Sequence, residues 1–226
     1  MKSLRSIVLG VASLSLSKFA FAQGDTAVYE DPESGISFNI WPQTDVTFGI
    51  ALPANGLETD ATEFLGLLTC TSPGGEGVGW CGISLGGGMV NNLLLLAYPS
   101  EGEVLTSLRW APEYGPPELY TGDAELTQVS SAVNATNYSV IFRCVNCLQW
   151  TQGETTGGAA TSSGAVMLGW AHAGSSPTNG ACADEGVVAR HETQGMFRGT
   201  LNDQAASADY EAWAALATSP VPGTCA

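Results

Sequence analysis

Short apolar or alternating apolar–polar stretches, separated by turn-forming residues, recur along most of the chain. Aromatic and β-branched residues are frequent in these stretches, while Gly, Pro, Ser and Thr fill the gaps. No helical period intervenes, so the pattern predicts nine or ten short strands in an antiparallel β-sandwich. The clearest predicted strands are 36–41, 46–52, 63–69, 82–85, 93–98, 104–110, 125–129, 138–144 and 166–173.

One stretch near the end of the chain has a different period. Residues 205–216 are rich in alanine, and Tyr210, Trp213 and Leu216 recur at helical spacing. We therefore expect a short C-terminal helix with one face on the sandwich. The Gly-, Thr- and Ser-rich segments 153–164 and 174–180 are predicted to be loops.

The first 22 residues have the features of a signal peptide. A basic start, a short apolar run and the small-x-small pattern Ala20-Phe21-Ala22 precede Gln23. The apolar run is too short to span a bilayer. The sequence thus predicts a secreted protein whose mature part, 23–226, is a single domain. The sequons at Asn134 and Asn137 are candidate glycosylation sites, too close together for both to be expected to carry a glycan.

Charge restricts the partners of the predicted mature chain. Loss of the leader removes three basic residues, so the formal net charge falls from −15 to −18 and the remaining basic residues are four arginines. Such a surface would repel nucleic acid and anionic membranes, because both present negative charge. A partner with a basic patch would be attracted to such a surface, and acidic surroundings would neutralise part of its charge. The acidity can also serve solubility alone.

Six cysteines in a secreted chain are expected to pair, and fifteen connectivities are possible. Spacing suggests the local pairs Cys70–Cys81 and Cys144–Cys147, which leaves Cys182–Cys225 to fasten the tail. Cys144-x-x-Cys147 is followed by Leu148 rather than His, so it is not a c-type haem attachment motif. With no βαβ pattern and no further zinc ligands nearby, a structural disulfide is the best interpretation.

Three consecutive glycines followed by Met89 form the most unusual stretch of the chain. Glycines permit a close approach of backbone or of a flat ligand, and a methionine thioether can either fill a core or ligate haem iron. The only histidines are His172 and His191. The motifs of serine hydrolases, nucleotide-binding loops and dinucleotide-binding folds are absent. A Met/His axial pair is thus one interpretation, and spacing alone supports it weakly.

Five stretches together resemble the cytochrome domain of fungal cellobiose dehydrogenases. They are W-C-G-I-S-L-G-G-G-M-V-N-N-L-L-L-L-A (80–97), S-L-R-W-A-P-E-Y (107–114), Y-T-G-D-A-E-L-T-Q-V-S-S (120–131), F-R-C-V-N-C-L-Q-W (142–150) and V-V-A-R-H-E-T-Q-G (187–195). The resemblance covers nearly all of 26–225. It implies an immunoglobulin-like β-sandwich related to DOMON domains, with one non-covalent haem b. The three disulfides suggested above also resemble those of longer-loop family members.

The resemblance also implies the site. Met89 and His191, rather than His172, correspond to the axial ligands, and Tyr114 corresponds to a tyrosine near the haem propionates. We further expect Gly87 and Gly88 to admit the macrocycle and Trp110 to shape the propionate side. Arg190 and Arg198 are candidates for offsetting propionate charge.

The resemblance implies a monomeric electron-transfer protein of lignocellulose degradation. Its electron would come from a flavin-dependent dehydrogenase or a small reductant and pass to a copper-dependent lytic polysaccharide monooxygenase, ferric iron or a quinone. No flavin-binding dehydrogenase domain follows Cys225 in this sequence, which suggests a stand-alone cytochrome or an isolated domain. Two alternatives remain at this point. One is a haem-free carbohydrate-binding sandwich with Trp41 or Trp150 stacked on sugar, and the other is a structural domain with a filled pocket.

Overall fold

A computed structural model describes residues 26–75, 77–223 and 225, which form fifteen β-strands and one short α-helix. The predicted leader lies outside these residues. The elements, in chain order, are β1 (Ala27–Glu30), β2 (Ser37–Pro42), β3 (Val46–Pro53), β4 (Phe64–Thr71), β5 (Trp80–Ser84), β6 (Leu93–Ser100), β7 (Glu103–Trp110), β8 (Glu118–Leu119), β9 (Glu125–Val133), β10 (Asn137–Val145), β11 (Gln149–Gln152), β12 (Thr155–Gly158), β13 (Ala165–Ala173), β14 (Thr193–Thr200), β15 (Ala206–Ser207) and α1 (Tyr210–Ala214).

The strands form two main sheets, which confirms the predicted sandwich. The first sheet has the order β1-β2-β3-β4-β10-β9, and the second has the order β14-β13-β5-β6-β7-β8. Pairing within both is antiparallel, except that β15 lies parallel to the end of β3. Strands β11 and β12 form a separate hairpin.

The core lies between the sheets because side chains alternate across each strand. Phe48 and Val140 of the first sheet share one buried cluster with Ile83 and Leu95 of the second. Burial of each such side chain contributes about 1.5–3 kcal/mol. The alternate positions of the second sheet face away from this core, and they form the surface on which the candidate site is built.

The three disulfides suggested by spacing and resemblance are present. The structure pairs Cys70 with Cys81, Cys144 with Cys147 and Cys182 with Cys225. The first joins the two sheets, since Cys70 lies on β4 and Cys81 on β5. The third fastens the tail to the segment that precedes β14.

The predicted C-terminal helix is shorter than expected. Only Tyr210–Ala214 is α-helical, because the preceding residues 206–207 pair with β3 instead. Tyr210 and Ala214 are buried against the first sheet, whereas Leu216 is exposed. Pairing with a neighbouring strand has overridden the helical propensity of the alanines.

The predicted loop 153–164 contains structure of its own. Residues 155–158 form β12, which pairs with β11 around a turn at Gly153, whose φ is +59°. Trp150 packs where a Cβ of Gly157 would lie, so glycine at that position is required by the tryptophan ring. The glycines of this segment thus allow close packing in a hairpin, and the prediction of a loop over 155–158 is wrong.

The two sequons lie in the hairpin between β9 and β10. Asn134 is exposed in the turn, and its Oδ1 accepts hydrogen bonds from Thr136 and from the backbone N–H of Asn137. Asn137 is half-buried, and its Nδ2 donates to Thr136. Elsewhere, within the described part of the chain, no helix has the length and apolar character needed to cross a membrane.

Candidate haem site on the outer face of the second sheet

Met89 lies in the loop 85–92, which connects β5 to β6. The loop folds over the outer face of the second sheet, because the Cε of Met196 on β14 lies 3.0 Å from the position that a Cβ of Gly87 would take. Met89 itself is half-buried. The glycine run therefore places a methionine over the sheet rather than in the core between the sheets.

The three glycines have different roles in this loop. A Cβ on Gly86 would overlap the Asn92 side chain, and Gly87 has a φ of +88°. Only Gly88 has free space on its Cβ side, with the nearest atom, the Nδ2 of Asn92, 3.8 Å away. Gly88 thus has open space beside it, whereas Gly86 and Gly87 are required by the loop itself.

His191 lies two residues before β14, at the other end of β5. Its imidazole is half-buried and meets the Trp80 indole edge-on, with ring centroids 6.5 Å apart. The backbone N–H of the next residue, Glu192, donates to the His172 carbonyl at 2.8 Å and fixes the chain at this point. Partial burial and the positive charge of Arg190 lower the pKa of His191. This favours the neutral imidazole, which is the form that ligates metals.

The imidazole of His172 is engaged by hydrogen bonding within the protein. It is buried on β13, and its Nε2 lies 3.0 Å from the backbone oxygen of Thr71 and 3.4 Å from the Thr71 hydroxyl. Its side chain points into the sandwich, since its β5 partner Cys81 belongs to the core cluster. His172 is therefore engaged within the protein, and His191 remains the predicted ligand.

Met89 and His191 mark the two ends of the outer face of β5. Trp80, which contacts His191, begins this five-residue strand, and the Met89 loop follows its last residue, Ser84. At about 3.3 Å per residue the strand is about 13 Å from first Cα to last. Between its ends the exposed surface is made of small or aliphatic groups, among them Gly82, Leu94 and Ala171.

Tyr114 lies in the loop between β7 and β8 and is 87% exposed. That loop adjoins the Met89 loop, because the backbone N–H of Asn91 donates to the Ala111 carbonyl at 2.9 Å. Trp110, in contrast, is buried in the core beside its β6 partner Leu93. The structure thus places Tyr114 in a loop beside the Met89 loop, whereas Trp110 faces the core between the sheets rather than the outer face of the second sheet.

Met167 and Met196 are further members of this surface that sequence reasoning missed. They are 46% and 59% exposed, and both lie close to Gly87. The signal that could have found them is the pairing of β13 with β14, which places Met196 opposite Gly169 and Met167 opposite Arg198. Strand β14 was not predicted, because two of its eight residues are glycines.

The arginines considered for propionate charge are both exposed. Arg190 precedes His191, and Arg198 lies on the outer face of β14. Within the described part of the chain the only ion pair joins Arg143 to Glu63, so neither arginine is engaged by a carboxylate there.

Both tryptophans considered for sugar stacking are buried. Trp41 is 0% exposed and Trp150 is 2% exposed, and both belong to the main core. The expectation that they form a carbohydrate platform is therefore wrong.

Comparison with known proteins identifies the family. The family model described as the cytochrome domain of cellobiose dehydrogenase matches residues 29–212. The chain belongs to this family. The cytochrome domain of Myriococcum thermophilum cellobiose dehydrogenase has a similar solved structure, with a TM-score of 0.85 and 48% sequence identity over 88% of this chain and all of that one.

A second group of relatives comes from another dehydrogenase. The solved cytochrome b domain of pyranose dehydrogenase from Coprinopsis cinerea gives a TM-score of 0.71 at 27% identity, over 89% of this chain and all of that one. The pyrroloquinoline quinone-dependent pyranose dehydrogenase of Coprinopsis cinerea is 34% identical over 161 residues, 70% of this chain. That match spans only 21% of the relative. Members of this cytochrome family thus occur as domains of different sugar dehydrogenases.

Proposed function

We propose that this chain is a secreted b-type cytochrome that transfers single electrons. The observation that carries the proposal is the placement of Met89 and His191 at opposite ends of one outer sheet face. Family membership supports it, because one relative is named as a cytochrome b domain. His172 is held by Thr71 and leaves His191 as the available imidazole.

The residues present fit a haem b group. Met89 supplies a soft thioether and His191 supplies an imidazole, and this donor pair is typical of electron-transfer haem proteins. When bound, haem supplies a reversible one-electron iron couple. Met89 and His191 would together hold the group, and two protein donors would favour electron transfer over oxygen chemistry.

The surroundings have separate roles in holding the group. Gly82 and Ala171 carry little or no side chain on this partly exposed face, and the partly exposed Leu94 would supply an apolar wall against the group. We propose Arg190 and Arg198, both exposed, as cations that offset propionate charge. Tyr114 would border the propionate side.

The proposed electron donor is a flavin-dependent dehydrogenase domain or protein, or a small reductant. The proposed acceptor is a lytic polysaccharide monooxygenase, ferric iron or a quinone, and the cytochrome acts as a monomer. Exposed Glu113 and Glu118 flank the Tyr114 loop, so the border of the site is acidic. A protein partner with a basic surface would be steered to it.

The disulfides of the described part of the chain support its location in an oxidising compartment. Its cysteines are all paired, as expected for a secreted protein. The signal peptide predicted at 1–22 agrees with export. Of the two sequons, Asn134 is the better candidate for a glycan, since it is exposed in a turn and the Asn137 amide donates to Thr136.

The decisive experiment is the visible spectrum of the purified protein with haem. We expect the sharp bands of a six-coordinate b-type cytochrome in the reduced wild type. His191→Ala should abolish them, and Met89→Leu should give a five-coordinate, ligand-accessible form with a lower reduction potential.

His172→Ala is the matched control, because it removes the other imidazole of the chain. Its spectrum should remain that of the wild type. A purified protein that retains no haem after haem has been added and the excess removed would contradict the proposed function. Loss of the bands in His172→Ala but not in His191→Ala would contradict the ligand assignment alone.

A further inference from the structure

One side chain holds the backbone on both sides of Met89. The Nδ2 of Asn92 lies 3.0 Å from the carbonyl oxygen of Gly88 and 3.0 Å from that of Val90. A primary amide carries two N–H groups, so it can donate to both carbonyls at once. The segment that presents the thioether is thereby tied at each end to the same amide.

A second donor joins this arrangement to the sheet. The hydroxyl of Ser84 donates to the Gly88 carbonyl at 2.5 Å. Ser84 is 6% exposed and is the last residue of β5, so it belongs to the rigid part of the sheet. The Gly88 carbonyl thus accepts from both Ser84 and Asn92, which fixes the peptide immediately before Met89.

The Asn92 side chain is itself held in place. Its amide fills the space where a Cβ of Gly86 would lie, so the first glycine of the run makes room for it. The backbone turns into β6 at Asn91, whose φ is +57° and whose N–H donates to the Ala111 carbonyl. The bonds to Met89's neighbours are therefore made by a group with little freedom of its own.

We propose that Asn92 and Ser84 are positioning residues for Met89, which set the place of its thioether and thereby the strength of the sulfur–iron bond. The inference rests on the proposed function, because it takes Met89 as an axial ligand. A loop with three glycines loses much backbone entropy when it orders. Hydrogen bonds that order it beforehand strengthen the ligand, as outer-shell partners do for metal ligands in general.

Asn92→Asp is the sharpest test, because it sets a carboxylate against two carbonyl oxygens while it keeps the shape of the side chain. We expect the methionine-dependent charge-transfer band of the ferric protein to weaken and the reduction potential to fall. Carbon monoxide should bind the ferrous protein about tenfold more tightly, the change that about 1.4 kcal/mol produces.

Asn91→Asp is the matched control. It adds the same charge one residue away, on an exposed side chain at a φ that Asp tolerates. It should leave the charge-transfer band and carbon monoxide affinity within about twofold of the wild type.

Two further variants guard against a merely misfolded protein. Ser84→Ala removes one donor and should produce a smaller change of the same sign. Gly86→Ala leaves both donors in the sequence but displaces the Asn92 amide, and it should reproduce the effect of Asn92→Asp. Circular dichroism and thermal unfolding of the haem-free proteins should show the sandwich intact in each.

The outcomes separate the two proposals. A wild type with both axial ligands, together with Asn92→Asp indistinguishable from Asn91→Asp, overturns the positioning role and leaves the cytochrome function standing. A wild type that takes up no haem overturns both. Weakened methionine coordination in Asn92→Asp and Gly86→Ala, with the fold retained, supports the positioning role.

Discussion

The backbone of Gly169 on β13 lies directly beneath the carbonyl oxygen of Gly87 in the Met89 loop. A Cβ added to Gly169 would overlap that oxygen, and it would also lie 3.0 Å from the Gly87 carbonyl carbon and 3.3 Å from the Cβ of Ser84. The close approach is possible only because Gly169 has no side chain. One residue of the sheet thus sets the height at which the loop crosses it.

Gly169→Ala should therefore lift the Met89 loop from the sheet. We expect the folded sandwich to persist, with haem affinity reduced by about tenfold or more, since about 1.4 kcal/mol of lost ligation has this effect. Haem titration followed at the Soret band measures it. Gly115→Ala, where no atom lies within 4 Å of the added Cβ, should bind haem as the wild type does.

His172 should prove structural. The His172 side chain is only 3% exposed. His172→Ala therefore removes the hydrogen bond to the Thr71 carbonyl and leaves a cavity in the core. A loss of about 1–3 kcal/mol of unfolding free energy is expected. Urea denaturation of the haem-free protein measures it, and an unchanged stability would argue against the role assigned to this histidine.

Tyr138→Phe should be neutral or stabilising below pH 10. The Tyr138 hydroxyl is buried and has no hydrogen-bond partner in the described part of the chain. Replacement therefore removes an unsatisfied group rather than a bond. A destabilisation above about 1 kcal/mol in urea would contradict this account.

The same substitution should alter alkaline stability. Burial raises the pKa of Tyr138 above its ordinary value of 10.0, so the folded state retains a proton that the unfolded state releases. The stability from the neutral phenol is present below pH 10 and is lost as the pH rises further. Tyr138→Phe should flatten the fall in unfolding free energy between pH 10 and the onset of alkaline unfolding, measured by denaturant titration at each pH.

The disulfides should contribute unequally to stability. Cys182 and Cys225 are 43 residues apart, whereas Cys144 and Cys147 are three apart. In the chain-entropy model the long loop is worth about 4 kcal/mol and the short one about 2 kcal/mol. Paired Cys→Ser replacement of each bridge, compared by thermal unfolding, should show the larger loss for Cys182–Cys225. The reverse order would indicate that local strain rather than loop entropy dominates.

Much of the fold was readable from the sequence, because strand alternation is a local property. All nine clearest predicted strands occur, with ends shifted by a few residues. The segment 193–200 was missed, since its glycines at 195 and 199 weaken the strand signal. Those glycines lie against the rings of Trp170 and Trp41, which only packing reveals.

The sequence by itself determined the chemical elements of the site. It holds one methionine after a glycine run and only two histidines, and its motifs mark the family. It could not choose between the histidines on spacing, and it could not show that Trp41, Trp110 and Trp150 are buried. Each of these depends on which face of a strand meets the other sheet.

The tertiary structure decided what the glycine run is for. The sequence predicts that Gly87 and Gly88 admit a flat ligand. In the structure Gly86 accommodates the Asn92 amide and Gly87 adopts a left-handed φ beneath Met196, so that only Gly88 has open space on its Cβ side. Asn92, Met196 and Gly169 come from three different strands or their borders. Their meeting in and beneath the Met89 loop is set by sheet pairing and packing, which short-range sequence patterns do not encode.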